Sequence, residues 1–329
     1  MIDLKKEGIP RVAVIGCGAW GRNLIRNFSE LGALAAVCDE DGARAVALAS
    51  QFGVSALSED QIIHDPAIDA VVFATHAPAH APQAERALKA GKHVYLEKPM
   101  VLSVADAENL CALAKAQERI LMVGHILHYH PAFIALKEHL PALGPLKHIY
   151  ANRLGLGRFR HHENVFWDLS SHDISLILSL TKERPLSVEA QGQAYIATDK
   201  PASALMTLTF SNHLTAHLHA SWLSPFKEQK FVVIGDYGIA VFDDCKPWAE
   251  KLHISTQCLT WKGDLPHAND DFQTRAIVLD AGEPLKNECL HFLACIENGE
   301  TPLTSGEEGL GVTDVLERAE KALCLRRAS

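Results

Sequence analysis

Gly16-Cys17-Gly18-Ala19-Trp20-Gly21 directly follows the apolar run Arg11-Val12-Ala13-Val14-Ile15 and opens a stretch with helical periodicity. Glycines at this spacing suit a dinucleotide. Gly16 permits a tight turn, Gly18 lets backbone approach a pyrophosphate, and Gly21 lets helix pack closely on strand. The N–H groups and dipole of the helix start, with Ala19 and Trp20 in the turn, then favour phosphate. Asp39 stands 18 residues after Gly21, at the end of the second apolar run. A carboxylate there accepts hydrogen bonds from ribose hydroxyls and repels a 2′-phosphate, so the predicted cofactor is NAD. Arg44 is the nearby cation that a 2′-phosphate would need. Two other groups suit hydride chemistry. Glu97-Lys98-Pro99 ends a strand-like run, and the proline restricts the backbone that carries Lys98. Asp168 and His172 are four residues apart and share a face on a helix, where the carboxylate orients the imidazole and raises its pKa. A buried structural ion pair would have the same effect.

Residues 11–122 supply elements that place these groups on one edge. Continuous apolar strands near 11–15, 34–38, 70–74, 93–96 and 120–123 alternate with helices near 23–31, 43–52, 82–90 and 105–117. That rhythm predicts a parallel sheet covered on both faces, with ligands at the carboxyl ends of its strands. Thr75, His76, His80, Glu97 and Lys98 all fall at that edge. The rhythm changes after His125. Helices near 131–139 and 164–180 flank a strand at 147–154, and strand-like alternation follows at 187–196, 204–210, 214–222, 230–234 and 239–242. Short turns such as Gly235-Asp236-Tyr237-Gly238 indicate a mainly antiparallel sheet. Helical patterns at 284–298 and 307–325 close the chain. The predicted fold is α/β: a Rossmann doubly wound domain, 1–123, then an α+β domain, 124–329, for substrate binding and oligomerisation.

Composition narrows the class. With 48% hydrophobic and 22% charged residues the chain is an ordinary globular protein rather than a disordered one. The net charge of −9 removes the footprint of a general nucleic-acid binder. Eight scattered cysteines without a Cys-x-x-Cys pair suit reduced thiols in a cytosol. Residues 1–7 contain no apolar leader segment. The uncharged run 201–226 alternates with strand period, so it reads as sheet rather than membrane span. A cytoplasmic protein is expected.

The glycine loop, Asp39, Thr75 with His80, Gly91-Lys92-His93-Val94 through Glu97-Lys98-Pro99, and Asp168-Leu169-Ser170-Ser171-His172-Asp173 together resemble the Gfo/Idh/MocA family over nearly the whole chain. The resemblance implies an NAD(P)-dependent oxidoreductase acting on sugars, polyols or sugar nucleotides. It also implies that Lys98 and His172 face the carbon that exchanges hydride. Ser170-Ser171 departs from the glycine that the family usually places before the histidine. An imidazole near its reference pKa of about 6.5 suits a base at neutral pH better than an unperturbed Lys near 10.4. His172 is therefore assigned as base and Lys98 as donor to the developing alkoxide or carbonyl oxygen. The reverse assignment stays open if burial depresses Lys98.

Residues 21–28, 152–160 and 163–168 resemble the sugar-nucleotide branch. They imply oxidation of the 3-hydroxyl of UDP-N-acetylglucosamine to a 3-keto sugar nucleotide, feeding an aminotransferase that makes 2,3-diamino sugars of lipid A type. Arg153, Arg158 and Arg160 would bind the diphosphate, guanidinium being suited to bidentate phosphate recognition, unless they form a solvated loop. Trp167 and His125 complete the predicted substrate contacts. The competing functions are an NAD-dependent dehydrogenase of a free sugar or polyol, a glycosidase using transient NAD redox, and a non-catalytic NAD sensor. Eighteen histidines raise the question of metal, yet neither His125/His128/His130 nor His213/His217/His219 has Cys or carboxylate ligands at a familiar spacing. No metal site is predicted. Alternation between Leu214, Ala216, Leu218, Ala220, Trp222 and the histidine face suggests a homodimer or homotetramer packed through the sheet.

Overall fold

A computed structural model describes residues 8–157, 159, 163–195, 200–256, 259–269 and 272–327. The chain begins with β1 (Val12–Ile15), α1 (Gly21–Glu30), β2 (Leu34–Cys38), α2 (Gly42–Phe52), β3 (Ser55–Ala56) and α3 (Glu59–His64). Then come β4 (Ala70–Phe73), α4 (Ala77–Lys89), β5 (His93–Leu96), α5 (Val104–Ala116) and β6 (Leu121–Val123). The second half runs α6 (Pro131–Leu143), β7 (Leu146–Leu156), α7 (Ser171–Thr181), β8 (Ser187–Ala194), β9 (Ser203–Thr209), β10 (Thr215–Ser221), β11 (Leu223–Gly235) and β12 (Gly238–Asp243). It continues through β13 (Leu252–Thr256), β14 (Leu259–Lys262), β15 (Leu265–Ala268) and β16 (Gln273–Ala276) to α8 (Pro284–Asn298), α9 (Gly306–Ala322) and β17 (Cys324–Arg327).

The six strands β3-β2-β1-β4-β5-β6 form one parallel sheet. This is the doubly wound order, with its topological switch between β1 and β4. Period-two alternation sends Val12 and Val14 to one face and Ala13 and Ile15 to the other. The first face packs on Leu24, Ile25 and Phe28 of α1, the second on Ala84, Ala87 and Leu88 of α4 and Leu110 of α5. Both faces are therefore apolar, which explains the uninterrupted hydrophobic strands.

The division of the chain differs from the single cut expected near 123. One compact unit comprises residues 1–129 and 283–314, the other 130–282 and 315–329. Leu285, Cys289, Phe292 and Leu293 of α8 join the core of the parallel sheet, with Phe292 edge-on to Phe28 and Tyr95. An apolar helical stripe needs a core but does not specify which one, so sequence proximity misassigned it.

The second unit holds a nine-stranded sheet, β16-β13-β12-β11-β7-β10-β9-β8-β17. It is antiparallel except for β7–β10 and β8–β17. Ala216, Leu218 and Ala220 of β10 are buried, whereas the opposite face presents His217 and Leu205 to solvent. The predicted helix 307–325 is shorter, because the chain turns extended at Cys324 to pair with β8.

Candidate functional site

The glycine loop has the three environments its spacing implied. Gly16 has φ +102°, and a Cβ there would lie 2.5 Å from the Ala74 carbonyl oxygen. A Cβ on Gly21 would lie 1.8 Å from the Gly16 carbonyl oxygen, so only glycine lets α1 approach β1. At Gly18 a Cβ would meet nothing within 4 Å, leaving that backbone open to a ligand. Asp41, Ser58 and Ser103 cap α2, α3 and α5, whereas α1 carries no side-chain cap and no acid in its first turn. The start of α1 thus holds no side-chain acceptor or carboxylate that would compete with an anion.

Asp39 lies beside the loop with its side chain 5% exposed. It accepts hydrogen bonds from the Cys17 amide at 2.6 Å, the Asp41 amide at 2.9 Å and Arg44 Nη1 at 3.2 Å. Arg44 also meets Asp41 at 3.1 Å. Asp39, Arg44, Gly16, Gly18, Thr75 and His76 line a cavity of about 680 Å³ at the carboxyl ends of the strands. The donor set and the open backbone at Gly18 fit a dinucleotide. Thr75 donates to Gln83 across the same wall at 2.7 Å.

Trp20 donates from Nε1 to Glu97 Oε1 at 2.6 Å, tying the glycine loop to the end of β5. Glu97 also accepts from the Lys98 amide at 3.2 Å and the Tyr95 hydroxyl at 3.3 Å. Burial pushes its carboxyl above the ordinary range, against these donors and the Lys98 charge, which pull it down. Lys98 is half-buried at the ligand edge. His80, expected at the cofactor, is instead buried within the wall. Its Nδ1 faces the carbonyl oxygens of Pro99 at 3.0 Å and Met100 at 3.2 Å, and Nε2 faces that of Thr75 at 3.2 Å. It braces the turns carrying Thr75 and Lys98. Desolvation lowers its pKa despite these carbonyls.

Other expected substrate residues are also committed to neighbours. His125 is 1% exposed, with Nδ1 at 2.6 Å from Glu308. Arg153 donates through Nε and Nη2 to both oxygens of Asp173 at 2.9 and 2.7 Å. This bidentate pair joins β7 to α7 and uses the fork that was expected to face phosphate. Trp167 is buried and donates from Nε1 to Glu320 at 3.1 Å. Arg158 and Arg160 lie outside the described residues. None of these partners is legible in the sequence, since a polar residue type does not reveal a partner distant in the chain.

Residues 164–180 do not form a single α-helix. Asn164 caps the turn by accepting from the Phe166 and Trp167 amides at 2.9 and 3.3 Å. Phe166–Ser170 is π-helical, and α7 starts at Ser171. Asp168 is buried and accepts from Trp222 Nε1 at 3.1 Å, while His172 is half-buried in the first turn of α7. The simple one-turn relation expected of the pair is thus altered by the π turn, a feature frequent at functional sites.

A buried acid, Glu288, escaped the sequence reading. It falls at i+3 from Leu285 on the apolar stripe of α8, and a charge at such a position is the signal that could have found it.

A glycine-loop cradle on a 3-2-1-4-5-6 sheet, carried with a mainly antiparallel unit, defines a dinucleotide-binding protein of two-unit architecture. Residues 10–125 match the oxidoreductase family with NAD-binding Rossmann fold, and residues 154–241 match the Gfo/Idh/MocA C-terminal domain. The chain belongs to the Gfo/Idh/MocA oxidoreductase family, and its first unit is an NAD-binding Rossmann domain. It is 34% identical over 213 residues to UDP-N-acetylglucosamine 3-dehydrogenase of Acidithiobacillus ferrooxidans, covering 64% of this chain and 66% of that relative, just under two thirds of the latter's length. A solved structure of the 3-dehydrogenase from that organism superposes with TM-score 0.85 at 28% identity, covering 95% of this chain and 97% of the other. Scyllo-inositol 2-dehydrogenase (NAD(+)) of Bacillus subtilis is 28% identical over 316 residues, covering 90% and 88%. The 3-ketoreductase of Actinomadura kijaniata, solved in complex with NADP, shares the fold at TM-score 0.79 and 20% identity, covering 97% and 99%. No helix among the described residues is long and apolar enough to cross a membrane.

Proposed function

We propose that this protein is an NAD-dependent sugar-nucleotide dehydrogenase that oxidises the 3-hydroxyl of the sugar of UDP-N-acetylglucosamine to a ketone. The observation carrying this reading is the likeness to the Acidithiobacillus 3-dehydrogenase, in sequence over part of the chain and in fold over nearly all of it. Preference for NAD over NADP is supported by Asp39, whose carboxylate sits on the cavity wall and already pairs with Arg44. A dinucleotide held by the glycine loop and Asp39 would supply the hydride acceptor for the carbinol carbon. The His172 imidazole takes the hydroxyl proton, and the Lys98 ammonium donates a hydrogen bond to the oxygen as it gains carbonyl character. The half-exposed histidine face of the large sheet supports self-association as a dimer or tetramer, and a 3-keto product calls for an aminotransferase as the next enzyme.

Dehydrogenation of a free polyol is the second reading. The inositol dehydrogenase match spans more of the chain, and Arg153 is engaged by Asp173. Mass spectrometry of UDP-N-acetylglucosamine incubated with protein, NAD and an NADH-reoxidising system separates the two. The first reading expects loss of two hydrogens from the nucleotide sugar and none from free N-acetylglucosamine or myo-inositol. Oxidation of inositol alone would transfer the assignment to the polyol.

A further inference from the structure

Glu288 lies on the buried stripe of α8 at 0% exposure, and neither carboxyl oxygen has a hydrogen-bond partner of ordinary geometry among the described residues. An ionised carboxyl without donors is among the most costly groups to bury. The titratable groups acting on it are Glu97 and Tyr95 from β5 and its edge, and no cation acts on it among the described residues. Tyr129, from the turn after β6, and Cys289 on its own helix also lie within its field.

Tyr95 is fully buried, and its hydroxyl has one proton, donated to Glu97 at 3.3 Å. That proton cannot serve Glu288 as well. Glu97 additionally receives the Trp20 and Lys98 N–H donors. Gly124 closes the chamber, since a Cβ there would stand 2.9 Å from the Tyr95 oxygen and 3.0 Å from the Glu97 carboxyl carbon. Two neighbouring buried carboxyls do not both ionise; the one with three donors keeps the charge and the one without keeps the proton. We propose that Glu288 is a neutral carboxylic acid that donates to the Tyr95 oxygen, turns the Tyr95 hydroxyl toward Glu97, and so acts as a positioning residue for the Trp20–Glu97–Lys98 edge of the dinucleotide site. The effect on NAD rests on the function proposed above, whereas the location of the proton does not.

Infrared spectra of the whole protein in deuterated buffer at neutral pH test the proton directly. The carbonyl stretch of a protonated carboxylic acid is expected in the parent protein, lost in Glu288→Gln and retained in Glu97→Gln. Its absence from the parent, its survival in Glu288→Gln, or its loss in Glu97→Gln overturns the proposal. NAD titration tests positioning. Glu288→Gln keeps a donor toward Tyr95 and holds affinity within about twofold, whereas Glu288→Leu, of similar volume, weakens it about fivefold, the effect of one lost hydrogen bond. Equal affinity in the two variants overturns the positioning role. Failure of the parent to bind NAD would contradict the proposed function and leave the infrared result standing.

Discussion

Replacing Glu288 by Gln is expected to stabilise the protein, by an amount that depends on pH in a defined direction. Burial and the neighbouring Glu97 hold the Glu288 carboxyl well above its ordinary value of 4.5. The folded chain therefore retains a proton that the unfolded chain releases above that value. For an acid raised in this way, stability is fully present below the unfolded pKa and declines as pH climbs toward the folded pKa. The slope is about 1.4 kcal/mol per pH unit for one proton. The loss accumulates over the pH range in which the folded chain still holds the proton that the unfolded chain has released. Gln fills the same space without a titrating proton, so its advantage over Glu should be small or negative at pH 4 and grow steadily to pH 7. Urea denaturation of both proteins across that range, following the transition of the NAD-binding unit, measures the difference while other titrations cancel. A difference independent of pH, or a Gln variant growing less stable than the parent as pH rises, would refute the reasoning.

Other substitutions separate building the cradle from using it. Gly21→Ala forces a methyl group against the Gly16 carbonyl and should destabilise by at least about 2 kcal/mol, whereas Gly18→Ala should leave the unfolding free energy within about 0.5 kcal/mol of parent and still weaken NAD binding at least tenfold. Calorimetric titration beside denaturation checks the pair. Asp39→Ala removes the acceptor for two amides and the ribose-facing carboxylate, so NAD affinity should fall about tenfold or more and its margin over NADP should shrink, as paired titrations would show. His80→Asn retains a donor toward Pro99 and Met100, whereas His80→Leu removes it. Leu should therefore speed amide hydrogen exchange at Lys98, Met100 and Val101 relative to Asn and lower turnover at least tenfold relative to it.

The NAD half was the most legible part of the sequence. Val12–Ile15, Ala70–Phe73 and His93–Leu96 are buried on both sides and read as continuous apolar runs, and the glycine spacing is dictated by the phosphate it must admit. The short β3 and the exposed β16 carry no such pattern, because neither contributes to a core. The return of α8 to the parallel sheet was hidden for a different reason: its stripe gave the helix but not the core it enters. At the site, the placement of Asp39 and Gly18 on the cavity wall was legible, because it follows from the motif and its spacing after the strands. The partners of Arg153, Trp167, His125 and His80 could not be read, since Asp173, Glu320, Glu308 and the loop carbonyls that engage them are brought near only by folding. The π turn at Phe166–Ser170 has no periodicity that distinguishes it from an α-helix in one sequence.

The central claim concerns which hydrogen leaves the sugar. UDP-N-acetylglucosamine carrying deuterium at carbon 3 should transfer that label to NAD, so that the reduced dinucleotide gains one mass unit beyond ordinary NADH. The same nucleotide labelled at carbon 4 should yield unlabelled NADH. Label arriving from carbon 4, or turnover without label from carbon 3, would contradict the account.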